Sequence, residues 1–271
     1  MLMRDDRAPM RTFTRLPVLQ RIGLLAVAAA MAACGERGSP PPHQEDPADS
    51  SPAAPAAPTA TGGTGALSGR MTLAGVPPPV QEVEVTKDHQ VCGAHPIVKK
   101  DLLVGQQGGL KNVVVSLREG PAGGATSLPD VELHQKGCVF WPHVAVVPAG
   151  RPLPVFNDDG ILHNIHTFST INPPVNKAQP KFKKRIEVQF DKPETIRVTC
   201  DAHPWMQSWI VVSAHPYVAV SDEGGAFRID GVPAGTHTVH LWHETLGERT
   251  REINVQAGQT TEITVEFSRD S

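Results

Sequence analysis

"TIRVTCDAHPWMQSWIVV", residues 195 to 212, decides how this chain is read. In "TIRVTC" Ile196, Val198 and Cys200 take one face and Thr195, Arg197 and Thr199 the other, because successive side chains alternate along a strand. The thiol of Cys200 therefore points inward. "SWIVV" resumes the sheet, so the residues between form a connection that carries a thiol, the His203 imidazole and the Met206 thioether at intervals of three. Upstream, "FNDDGILHNIHTF", residues 156 to 168, follows the β-like run "LPVFN" with a turn and then His163-Asn164-Ile165-His166. Two imidazoles, one thiolate and a weak axial thioether describe a type 1 copper site. Zinc is the rival ion, since it takes the same thiolate and imidazoles tetrahedrally.

The surrounding text is strand text. "NVVVSL" (112–117), "VAVV" (144–147), "KRIEVQF" (184–190), "AFRI" (226–229), "HTVHLW" (237–242), "REINV" (251–255) and "TEITVEF" (261–267) are short and rich in branched residues. Gly, Pro and Asp turns separate them, and no segment of helical period competes. The expectation is an all-β sandwich architecture.

The first residues read as a precursor. Arg11, Arg15 and Arg21 precede the apolar run "IGLLAVAAAMAAC", residues 22 to 34, which has the layout of a secretory signal peptide. Its exit, "MAAC", resembles the bacterial lipobox, which makes Cys34 the expected lipidated N-terminus; the alternative is an ordinary signal peptide cleaved near Ala33. Residues 35 to 65 hold mostly Pro, Ala, Ser and Gly and read as an extended tether. Removing residues 1–33 takes five Arg and two Asp from totals of 25 basic and 28 acidic residues, leaving 20 against 26. That balance argues against nucleic-acid binding.

Four cysteines are present, Cys34, Cys92, Cys138 and Cys200. With Cys34 lipidated and Cys200 on a metal, Cys92 and Cys138 are expected to form a disulfide outside the cytoplasm. The alternative is a second metal site that uses His95 and His143. The remaining histidines, His43, His89, His134, His215, His237, His240 and His243, read as surface or hydrogen-bonded residues. Lys181, Lys183, Lys184 and Arg185 read as a solvated strand face or, more sharply, as a docking patch for an acidic redox partner. Trp205 and Trp209 flank the loop, to shield the ion or simply to pack.

The spacing "CDAHPWM" with "VFNDDGILHN" upstream resembles the cupredoxins, most closely amicyanin-like and plastocyanin-like domains, from about Val131 to Ser213. The resemblance implies a Greek-key β-sandwich with one type 1 copper, held by His163, Cys200, His203 and axial Met206. It implies that Asn164 ties its loop to the cysteine strand, that His166 is not a ligand, the alternative being a site that uses both His163 and His166, and that His203 is the electron port. Where the family has Pro before its second histidine this chain has Ala202, whose N–H is free to meet the Cys200 sulfur; Ala202→Pro is then expected to lower the potential. "SDEGGAFRIDGVPAGTHTVHLW" resembles carboxypeptidase regulatory-like, or transthyretin-like, modules and implies a second, seven-stranded β-sandwich.

The domain expectation is a signal peptide (1–33), a lipid-anchored linker (34–65), a cupredoxin domain with an N-terminal extension (66–213) and a regulatory-like module (214–271). Strands from 66–86 are candidates to complete the last. The functional expectation is an extracytoplasmic lipoprotein, periplasmic or outer-membrane-anchored, that carries single electrons to a partner protein. It acts on no small-molecule substrate and is not an enzyme, since no acid/base pair or open substrate position is evident. The alternative is a copper-binding or structural surface module whose regulatory-like part contacts protein or glycan.

Overall fold

A computed structural model of the chain describes residues 62–120 and 127–269. The expected signal peptide, Cys34, His43 and nearly all of the expected linker lie outside the described residues. The strands are β1 (Thr64–Leu73), β2 (Val114–Leu117), β3 (Leu133–Lys136), β4 (Val139–Trp141), β5 (Val144–Pro148) and β6 (Pro152–Asn157). There follow β7 (His163–Thr167), β8 (Asn176–Gln179), β9 (Arg185–Gln189), β10 (Glu194–Thr199) and β11 (Gln207–Ser213). The chain closes with β12 (Val218–Val220), β13 (Ala226–Pro233), β14 (Gly235–His243), β15 (Gly247–Val255) and β16 (Thr260–Phe267). A single-turn helix, α1 (His89–Cys92), interrupts the long connection from β1 to β2. The protein is all-β, and among the described residues no helix is long and apolar enough to cross a membrane.

The strands sort into two sandwiches that are not consecutive in sequence. Sheets β13-β1-β16 and β12-β2-β14-β15 face each other over a core that includes Leu67, Met71, Val115, Phe227, Val239, Leu241 and Phe267. Sheets β5-β11-β10-β7-β8 and β4-β3-β6-β9 enclose a second core with Leu133, Phe140, Leu153, Val155, Ile165, Ile196, Val198 and Ile210. The first sandwich is thus built from both ends of the described chain and the second from the middle. In the first, β1 pairs parallel with β16 and antiparallel with β13, and β2 pairs with β12 and β14. Val114 and Val218 of one sandwich meet Val144 and Val211 of the other in a small third cluster.

Gly69 shows how closely β1 and β16 approach. A Cβ there would lie 1.9 Å from the Ile263 carbonyl oxygen, so only glycine lets the two backbones keep this register.

Candidate metal centre

Register brings the site together. Thr199 of β10 stands opposite Gln207 of β11 and, on its other side, opposite His166 of β7. Residues 200–206 therefore close the β10–β11 connection. Because β7 runs antiparallel to β10, stepping back from His166 to His163 carries that residue up to the same loop. The loop is braced internally: Cys200 N–H donates to the Met206 carbonyl (3.2 Å), and Met206 N–H donates to that of His203 (2.9 Å). As the alternation requires, Ile196, Val198 and Cys200 are buried.

Three donor atoms converge. His163 Nδ1 lies 3.9 Å from Cys200 Sγ, His203 Nδ1 lies 3.7 Å from the same sulfur, and the two Nδ1 atoms are 3.0 Å apart. Both rings are completely buried. Each turns its other nitrogen to a carboxylate, His163 Nε2 to Asp159 (2.9 Å) and His203 Nε2 to Asp88 (2.9 Å). A carboxylate only accepts, so each Nε2 carries a proton, and Nδ1 is the atom that each ring turns toward the sulfur and would offer to a metal ion. Met206 is buried in the core that also holds Cys200.

The surroundings favour a thiolate. Burial alone would push the Cys200 thiol up, but His163 and the backbone N–H groups of Asn164 and His203 hold it below its ordinary value. Burial would likewise lower His163, yet the Asp159 hydrogen bond and the Cys200 sulfur raise it to about 9. His203 is pushed down, first by burial and then by His163 against the opposing Asp88. Asp159 also accepts from Gly137 N–H (2.6 Å) and Cys138 N–H (2.9 Å), the two central residues of the β3–β4 turn, both with positive φ (62° and 54°). Those bonds and His163 hold its carboxyl below the usual range although burial opposes them.

This donor set fits a soft metal ion. Donors separated by 3.0–3.9 Å can share one ion at nitrogen and sulfur bond lengths of about 2.0 and 2.3 Å, because two such bonds at an open angle place their ends roughly 3 to 4 Å apart. Cys200 is the free cysteine of the described residues, and it is buried. Cys92 and Cys138 are joined as a disulfide, so their sulfurs are spent, and His143 pairs with the Glu244 carboxylate. A second site on those residues is thereby ruled against.

Asn164 ties the His163 and Cys200 segments together: its amide donates to Asp201 (3.0 Å) and to Asn176 (2.8 Å), and its oxygen accepts Asp201 N–H (2.6 Å). His166 stays apart, bonded to Asp201 through Nδ1 (2.9 Å). Ala202 packs against the core, half-buried. The N–H expected from it at the thiolate comes instead from its neighbour His203 together with Asn164. His203, the expected electron port, is buried, with its Nε2 bonded to Asp88. Lys181, Lys183, Lys184 and Arg185 are exposed, as is Phe182. Trp205 lies against the His203 ring (centroids 5.1 Å apart), whereas Trp209 packs on Trp242 and donates to Glu244 (2.7 Å).

Residues 195–263 match the family model of polysaccharide lyase family 4, domain II. That match, which reaches back into β10 and β11, takes the place of the expected carboxypeptidase regulatory-like module. No curated protein matches the chain. Among solved structures, a copper-containing nitrite reductase from Thermus scotoductus SA-01 is 24% identical over 35% of this chain and 25% of its own, with a TM-score of 0.29. A purple cupredoxin from Nitrosopumilus maritimus is 21% identical over 31% of this chain and all of its own, at 0.27. A mutant amicyanin in the Cu(I) form is 15% identical over 36% of this chain and 98% of its own, at 0.29. The matched region thus spans a quarter of the nitrite reductase chain.

Two residues at the site lie outside the motifs read from the sequence. Asp159 had a faint local signal, since "DDG" places a carboxylate four residues before His163. Asp88 had none, because it stands 115 residues from His203.

Proposed function

We propose that the chain is a lipid-anchored, extracytoplasmic copper protein that passes single electrons through one type 1 site made by His163, Cys200, His203 and Met206. The observation that carries this reading is the convergence of two imidazole Nδ1 atoms on a buried thiol, with both Nε2 atoms committed to carboxylates. Copper bound there would supply one-electron exchange between Cu(II) and Cu(I). The protein's part is to hold still: Asp159 and Asp88 fix ring tautomer and tilt, Asn164 locks one ligand segment to the other, and burial of Cys200 keeps water from its sulfur. In this reading the chain is a carrier, its partner is another redox protein, and the exposed Lys181–Arg185 run is the candidate docking face.

The burial of His203 favours a second reading, a surface module that holds copper without exchanging electrons. Voltammetry of the copper-loaded full chain separates the two. A reversible one-electron wave, absent in Cys200→Ser, supports the carrier; a redox-silent or zinc-preferring protein contradicts it.

A further inference from the structure

The connection between β1 and β2 does more than link two strands of the first sandwich, for it arches over the metal loop of the second. Asp88 opens α1, its carbonyl accepting the N–H groups of Val91 and Cys92 (both 2.9 Å). Its side chain reaches His203 Nε2 at 2.9 Å and is itself half exposed, while the ring it holds is completely buried. Four residues on, the disulfide fastens Cys92 to Cys138 in the β3–β4 turn. The two sulfurs lie within 4.8 Å of a His203 ring nitrogen. Trp205 shields the ring from another side, and its indole N–H donates to the Cys138 carbonyl (3.1 Å). The outer edge of His203 is thus enclosed by a carboxylate and a disulfide from outside its loop and by an indole two residues along it.

We propose that Asp88 is a positioning residue that commits the outer edge of His203 to the interior, so that this imidazole is a covered ligand rather than the place where electrons enter or leave. The proposal rests on the copper reading given above. Asp88 orients Nδ1 toward Cys200 by accepting the Nε2 proton, and the disulfide keeps it within reach. Without the carboxylate the edge of the ring opens to water and to small reagents, and the ligand loses the partner that fixes its tilt.

The backbone supplies a clean test. Asp88 has φ 48° and ψ 43°, a left-handed conformation in which glycine is at ease and asparagine is tolerated. Asp88→Gly therefore removes the carboxylate without straining the turn, and Asp88→Asn keeps an acceptor oxygen. Two measurements on the full chain apply. In the metal-free protein, alkylation of Cys200 by iodoacetamide is expected to be at least about tenfold faster in Asp88→Gly than in the parent, with Asp88→Asn, which keeps an acceptor but no charge, between the two, since loss of one charge-assisted hydrogen bond shifts a local opening equilibrium by roughly that factor or more. In the copper-loaded protein, oxidation of the reduced site by tris(1,10-phenanthroline)cobalt(III), a one-electron oxidant, is expected to quicken in Asp88→Gly and to be partly restored in Asp88→Asn. Equal alkylation and equal oxidation rates in parent and Asp88→Gly, with unchanged near-ultraviolet circular dichroism, overturn the proposal. If the parent gives no copper–thiolate absorption, the copper reading fails while the alkylation rates still decide the cover.

Discussion

Replacing Asp159 tests the structure where fold and site share one group. Its carboxylate accepts three N–H donors, from His163 at 2.9 Å, Gly137 at 2.6 Å and Cys138 at 2.9 Å, and its side chain is 6% exposed. Asp159→Ala strands all three. A donor left unsatisfied in the interior costs about 1–3 kcal/mol, but Gly137 sits at the exposed end of a turn where water can replace the carboxylate. The expected loss of stability is therefore about 3–4 kcal/mol, below the simple sum of the three. Asp159→Asn keeps an acceptor for the turn but no charge for the imidazole, so about half of that loss is expected. Metal affinity is expected to fall by roughly 10- to 100-fold in both variants, the usual effect of removing a carboxylate behind a ligating histidine. Urea unfolding of the metal-free chain and chelator competition for copper measure the two effects separately. A loss under about 1 kcal/mol in Asp159→Ala, or unchanged copper affinity in Asp159→Asn, would refute the assignment of this carboxylate to both turn and ligand.

Two further outcomes test the first sandwich. His243 is buried, and burial pushes its pKa down to about 4; as pH falls below about 6.5 the unfolded chain takes up the proton first, so stability declines until about pH 4 by roughly 3 kcal/mol. Urea midpoints across that range check it, and the slope should shrink by about one proton in His243→Gln; an identical slope in that variant counts against the assignment. Gly69→Ala would set a Cβ 1.9 Å from the Ile263 oxygen, and pushing β1 from β16 is expected to cost about 1–3 kcal/mol or more. A thermal midpoint within a degree of the parent would show that the register is not as tight as described.

How much was legible follows from where each signal lies in the chain. The inward phase of Ile196, Val198 and Cys200 and the three-residue spacing to His203 are local, so they could be read directly. The second imidazole was readable because strand, turn and His-Asn lie together in thirteen residues. The pairing of β1 with β16 joins residues such as Leu67 and Thr261, and nothing in either strand names the other. Strand β8, Asn176–Gln179, has no apolar alternation; it exists because β7 offers it a hydrogen-bonding edge. Ala202 lacks the ring of proline, but the N–H groups that hold the Cys200 thiol below its ordinary value are those of Asn164 and His203. Asp88 shows the general limit: its role is set by a disulfide-held connection in the other sandwich, and no spacing rule crosses that distance.

The most direct test of the account is to add Cu(II) to the full chain and record its visible and EPR spectra beside those of Cys200→Ser. An intense thiolate-to-copper band with narrow copper hyperfine splitting, lost in the variant, is the expected result. A colourless protein, or a Cu(II) signal that is the same with and without the Cys200 sulfur, would contradict it.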